Sequence, residues 1–150
     1  MAATAVIGYD GTDESAHALE FAARVLTLDS AIAANVWHDA VTDLVVAPLV
    51  GPPPVPSAQR EAALENAAEV IAREGADRAL AAGLMAVPMT RRGVAFGDVA
   101  RTLGDLAEES GSQLIIVGRR HASPLHSALF GSVSMTAVRD ERRAVLVVPS

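Results

Sequence analysis

The sequence contains no cysteine, which excludes disulfides, thiolate metal sites and thiol catalysis. It contains no lysine either, since all twelve basic residues are arginine. A lysine-dependent phosphate loop, Schiff-base chemistry and a lysine general base are therefore excluded. Aromatic residues are only 3% of a chain that is 51% hydrophobic, and much of that apolar content is alanine. Helices in such a chain must pack through small side chains. No apolar run reaches the roughly 18 residues of a membrane helix. The opening Met1-Ala-Ala-Thr-Ala-Val-Ile7 lacks the charged start and long apolar core of a signal peptide, so a cytoplasmic location is expected. A net charge of −6 opposes a nucleic-acid partner or an anionic membrane surface.

The 150 residues suffice for one domain with a buried core, without repeats or an evident boundary. β-rich runs alternate with helical patterns. Thr4–Asp10 reads as a buried strand. Gly11-Thr-Asp-Glu14 then opens a helix capped by Thr12, with Ala16, Leu19, Ala23 and Leu26 forming its apolar stripe. Ala31–Trp37 reads as a second strand, followed by a stiff proline-rich loop over 48–56. An alanine-rich helix spans Ser57–Ala82 and stops at Gly83. Leu84–Arg91 is strand-like but holds Pro88, which points to a sheet edge. Gly97 and Asp98 start a helix with Val99, Leu103 and Leu106 inward, closed by Gly111. Gln113–Gly118 is an apolar central strand. A short helix over Ser132–Glu141 and a last strand over Ala144–Pro149 complete the pattern.

This alternation predicts an α/β fold, with a doubly wound parallel sheet of order 3-2-1-4-5 and helices on both faces. Ligands of such sheets sit at the carboxyl ends of the strands, where the winding reverses. Asp10 and Gly118 would then face one crevice. The helix after Asp10 opens with Asp13 and Glu14, which disfavours phosphate there. The stretch from Gly118 to Arg139 holds no carboxylate, yet it carries Arg119, Arg120, His121 and His126. It enters its helix through Gly131-Ser132, a natural anion seat. Phosphate at one end and the Asp10 acceptor at the other describe a nucleotide. The plainer readings are that Gly131-Ser132 only starts a helix and that Asp10 only caps local amides. No metal site is expected, because His121 and His126 have no third ligand near them in sequence. His17 is expected on the solvent side of its helix and His38 at a strand end, neither with a catalytic partner.

Val6-Ile-Gly-Tyr-Asp10-Gly-Thr-Asp-Glu-Ser15-Ala-His-Ala18 resembles the first strand and helix of the universal stress protein family. Leu114-Ile-Ile-Val-Gly118, Gly131-Ser-Val-Ser134 and Ala144-Val-Leu-Val-Val-Pro149 resemble its last two strands and its ATP loop. The resemblance covers essentially the whole chain, and it implies a five-stranded Rossmann-like domain that forms homodimers. In one branch the family binds ATP, with or without magnesium. On that pattern Asp10 contacts the nucleoside with Gly8 nearby, and the Val36 backbone contacts the base. Val117, Gly118, Gly131, Ser132, Val133 and Ser134 contact ribose and phosphates. The chain departs from the pattern at His121, which stands where the loop has its middle glycine. Histidine there removes that glycine's freedom but adds a donor beside Arg120.

Two functions are expected from this. The first is an ATP-binding stress-response regulator acting through a homodimer. The second is a dimeric interaction module without nucleotide, with residues 144–149 as the self-pairing strand and the protein partner unidentified. An evolved enzyme is not expected beyond slow ATP hydrolysis, since no nucleophile has an adjacent base and no second acid stands beside Asp10. No catalytic residue is assigned.

Overall fold

A computed structural model of the chain describes residues 2–39, 57–93, 99–119 and 143–149. Its elements are β1 (Thr4–Gly8), α1 (Asp13–Val25), β2 (Ser30–Trp37), α2 (Ser57–Ala81), β3 (Ala86–Arg92), α3 (Val99–Ser110), β4 (Leu114–Gly118) and β5 (Ala144–Val148). The expected proline-rich loop, the start of the third helix at Gly97 and the helix over Ser132–Glu141 lie outside the described residues. The strands form one parallel sheet in the order β3-β2-β1-β4-β5. The doubly wound α/β order expected from the sequence is therefore the observed one.

Alternation along each strand divides the core into two layers. Ala5, Ile7 and Tyr9 of β1 and its exit, with Ile116 of β4, pack with α1 and α2 residues such as Leu19 and Ala79. Val6, Ile115 and Val117 point to the other face and meet Leu103, Leu106 and Ala107 of α3. Because both faces are covered, the central strands are largely apolar. In α2 the buried residues are Ala68, Ala72, Gly75, Ala76 and Ala79. Their three- and four-residue spacing makes one stripe of small side chains, and that stripe lets the helix lie close to the sheet.

Local chemistry sets the element ends. Thr12 caps α1, its hydroxyl accepting from the Ser15 N–H at 3.3 Å. Gly83 and Gly111 end α2 and α3 with φ of 91° and 67°, a conformation that side chains resist. β1 stops at Gly8 rather than at Asp10, because the Asp10 N–H turns away to the Ser15 hydroxyl. β3 begins at Ala86 rather than at Leu84, because the Leu84 N–H closes α2 onto Ala79 O at 2.8 Å. The buried face of α1 is also rotated from expectation. Ala18 and Ala22 are fully buried alongside Ala16 and Leu19, whereas Ala23 and Leu26 are only partly so. Contact with α2 as well as with the sheet accounts for the rotation.

Pro88 sits at the outer margin of the sheet, in β3. The Gly93 N–H donates to Trp37 O and the Ala31 N–H to Met85 O, so odd-numbered β3 residues face β2. Pro88 therefore faces outward, where its missing N–H leaves the ladder intact and blunts the edge.

Tyr9 is the largest buried side chain and is 2% exposed. Its ring lies against α2 at Gly75, where an added Cβ would stand 2.8 Å from the ring. Its hydroxyl donates to Glu74 Oε1 at 2.8 Å, and Arg78 Nε donates to the same oxygen at 3.1 Å. Burial, then the Glu74 hydrogen bond, push the Tyr9 pKa up to about 12 from an ordinary value of 10. Hydrogen bonds from Tyr9 and Arg78 hold the Glu74 carboxyl low. Between pH 10 and pH 12 the unfolded chain releases the phenolic proton and the folded chain keeps it, so stability falls as pH rises through this window. Urea denaturation at pH 9 and pH 11.5 is expected to show that loss, and Tyr9→Phe is expected to lack its tyrosine-dependent part.

Candidate functional site

The winding of the sheet reverses between β1 and β4, and a cavity of about 150 Å³ opens at the carboxyl ends of the strands there. The β1 exit supplies Gly8, Tyr9 and Asp10, and the start of α1 supplies Thr12, Glu14 and Ser15. Ala34, Val36 and His38 come from β2 and its end, Val99 and Leu103 from α3, and Val117 and Gly118 from β4. The cavity is smaller than the few hundred Å³ that enclose a whole small ligand. The described walls have room for one end of such a ligand. A larger hollow of about 300 Å³ lies between α2 and β3. It is away from the winding reversal, and its Glu69 and Arg73 pair with each other at 3.9 Å.

Asp10 is held by its own turn. Its Oδ1 accepts from the Thr12 N–H at 3.1 Å and from the Thr12 hydroxyl at 2.5 Å. The Ser15 hydroxyl donates to Thr12 O at 2.9 Å while accepting from the Asp10 N–H at 3.3 Å. The carboxylate therefore caps the Thr12 amide, in line with the plainer reading of the sequence. The same bonds fix its orientation at the cavity wall.

Gly118 is explained by packing as well as by position. A Cβ on it would run into the Glu14 carbonyl, so the end of β4 passes against the first turn of α1 with only a hydrogen to spare. Gly8 is also tight, with Leu103 and Val117 at 3.2 and 3.4 Å from an added Cβ. On the far side, Asp39 follows His38 and is 1% exposed. Arg60 Nε donates to both Asp39 carboxylate oxygens, at 3.1 and 3.0 Å. That forked pair ties the exit of β2 to the first turn of α2.

Gly8, Asp10, Val36, Val117 and Gly118, expected as site residues, thus come together around one cavity. Arg120, His121, Gly131, Ser132, Val133 and Ser134 lie outside the described residues. His17 is exposed on α1, whereas His38 lines the cavity. Sequence reasoning gave no site role to Ser15 or Asn35, and it placed His38 only at a strand end. The spacing of Asp10, Thr12 and Ser15 carries a signal for the first, that of a side-chain-capped turn entering a helix. Among the described residues, no three potential metal-ligating side chains cluster, and no helix is long and apolar enough to cross a membrane.

The model of the universal stress protein family matches residues 1–149. No curated protein matches the chain. Among solved structures, a universal stress protein family member from Burkholderia pseudomallei is 21% identical, with a TM-score of 0.69 over 99% of this chain and 96% of that one. A universal stress protein in complex with cAMP is 26% identical, with a TM-score of 0.65 over 98% of this chain and 97% of that one. A family member from Arabidopsis thaliana with AMP bound is 10% identical, with a TM-score of 0.64 over 98% and 91% of the two chains. At 10% and 21% identity the likeness shows the fold alone.

The packing of Gly118 leads to a stability prediction. Gly118→Ala is expected to destabilise the fold by roughly 1–3 kcal/mol, the cost of overpacking a closed contact. Urea denaturation checks this, and an unchanged midpoint would show that the β4–α1 approach is loose.

Proposed function

The chain belongs to the universal stress protein family, and we propose that it binds ATP at the β1–β4 cavity and acts as a stress-response regulator through a homodimer. The observation that carries this reading is the convergence of Asp10, Val36 and Gly118 on one cavity at the winding reversal. Related nucleotide complexes support it, with cAMP in one family member and AMP in another. In this reading Asp10, beside Gly8, receives hydrogen bonds from the nucleoside, and the Val36 backbone meets the base. Val117 and Gly118 border the ribose. The acid-free stretch with Arg120, His121, Gly131, Ser132, Val133 and Ser134 holds the phosphates, with magnesium as a companion of the polyphosphate. His121 supplies a side-chain donor where the family pattern has glycine. The carboxylates of Asp10 and Glu14 keep phosphate away from the start of α1.

Binding rather than turnover is the proposed activity. The Ser15 hydroxyl is engaged by Thr12 O and the Asp10 N–H, and Asp10 is engaged by Thr12. Neither is arranged as a nucleophile with its base. The proposed setting is the cytoplasm.

The two sheet margins differ, and the difference supports pairing through the last strand. β3 is blunted by Pro88 and carries Arg91 and Arg92. β5 is an uncharged run of alanine, valine and leucine, and its described strand neighbour is β4 alone. The Arg119 N–H donates to Val148 O, so even-numbered β5 residues face β4. The N–H groups of Val145 and Val147 therefore point outward, where a second copy would pair with them.

Calorimetry with ATP and Mg²⁺ is expected to show saturable binding that weakens roughly tenfold in Asp10→Ala, the effect of one charge-assisted hydrogen bond lost. No heat at millimolar nucleotide would reject the ATP reading and leave the dimeric interaction module. Sedimentation is expected to show a dimer at micromolar concentration. Val147→Pro, which removes an outward N–H and spares the β4 ladder, is expected to favour the monomer. A parent protein that sediments as a monomer would reject the β5 pairing.

A further inference from the structure

The seam between β1 and β2 ends in a way that the strand register alone does not explain. Gly8 is paired with Ala34, and the ladder continues one step as the Tyr9 N–H donates to Ala34 O at 2.8 Å. Even-numbered β2 residues therefore face β1. In a parallel ladder the next bond would run from the Val36 N–H to the Tyr9 carbonyl. Among the described residues that bond is not formed. The Tyr9 carbonyl instead accepts from the side-chain amide of Asn35, Nδ2 to O at 2.9 Å, in a buried bond.

Asn35 is 6% exposed. It shares the sheet face of Ala31 and Ala33, the latter packed at Gly75 of α2. Val36 and Ala34 are on the opposite face and line the cavity. The side chain of Asn35 thus acts from behind the sheet, on the carbonyl immediately before Asp10.

We infer that Asn35 is a positioning residue that ends the β1–β2 ladder one bond early and so turns the Val36 N–H and C=O toward the cavity for a planar ligand edge. Both groups of a β-strand residue point the same way. Together they offer one donor and one acceptor to a heterocycle that carries an acceptor beside a donor, as a nucleobase does. The identity of the ligand rests on the nucleotide reading, whereas the assignment of Asn35 rests on the seam alone. Asn35 acts through Val36 and touches no ligand.

Amide hydrogen exchange at Val36, measured by NMR on the full ligand-free chain, tests the assignment. In Asn35→Ala, and in the near-isosteric Asn35→Leu, the Tyr9 carbonyl is released to the Val36 N–H. Exchange at Val36 is then expected to slow roughly tenfold, with neighbouring β2 amides unchanged. Calorimetry on the same proteins is expected to show ATP binding weakened roughly tenfold and inorganic tripolyphosphate binding unchanged, since tripolyphosphate has no base. Unaltered Val36 exchange in both variants would overturn the assignment, whether or not the protein binds nucleotide. Equal losses for ATP and tripolyphosphate would also overturn it, as a general structural effect. A parent protein that binds tripolyphosphate but gains nothing from the base would remove the ligand half of the inference, and Val36 exchange would still decide the role of Asn35.

Discussion

The contact on which the site depends is the close passage of β4 against the start of α1 at Gly118 and Glu14. A parallel sheet brings its strand ends together at one rim, and a reversal of winding leaves a gap there between the central strands. How wide that gap stands is decided by how near the first helix lies to the fourth strand. A glycine at the end of β4 allows backbone against backbone. The turn from Asp10 to Ser15 then holds the helix start in that place by capping its amides.

The sheet and its rim have different chemistry. The interior is alternating apolar residues and alanine stripes, with Tyr9 supplying much of the buried aromatic bulk and a polar tether to Glu74 and Arg78. The rim carries the polar work. Asp39 is held by Arg60, the Tyr9 carbonyl by Asn35, and Asp10 by Thr12. Each bond fixes the position of a residue near the cavity, and each leaves a nearby backbone group in a defined direction. In a chain without lysine or cysteine, the rim of the cavity is thus built from main-chain groups and a few carboxylates.

Much of this was legible in the sequence. Pro88 marked an edge strand and Gln113–Gly118 a central one, and both agree with the expected strand order. Thr12 with Asp13 and Glu14 marked a helix start, and Gly83 and Gly111 marked helix ends. Asp10, Val36 and Gly118 were assigned to one site and line one cavity. What could not be read depends on contacts between residues distant in the chain. The Tyr9–Gly75 packing spans 66 positions, and its glycine looks like an ordinary interruption of an alanine-rich helix. The contact of Gly118 with Glu14 has no sign in the sequence, where Gly118 stands out through the family pattern. Asn35 sits in an apolar strand, where a lone amide signals nothing until the register shows which carbonyl it takes. The rotation of α1 has the same origin, since which of its apolar residues face α2 depends on how the two helices pack.

In the proposed function, a nucleotide enters at the rim between β1, β2 and β4. The most direct test is an ATP titration of ¹⁵N-labelled protein followed through its backbone amide resonances. The largest shifts are expected at Gly8, Asp10, Val36 and Gly118, saturating together, with β3 and the hollow beside Pro88 unaffected. Saturable shifts confined to α2 and β3, or none at the β1–β4 rim at saturating ATP, would contradict it.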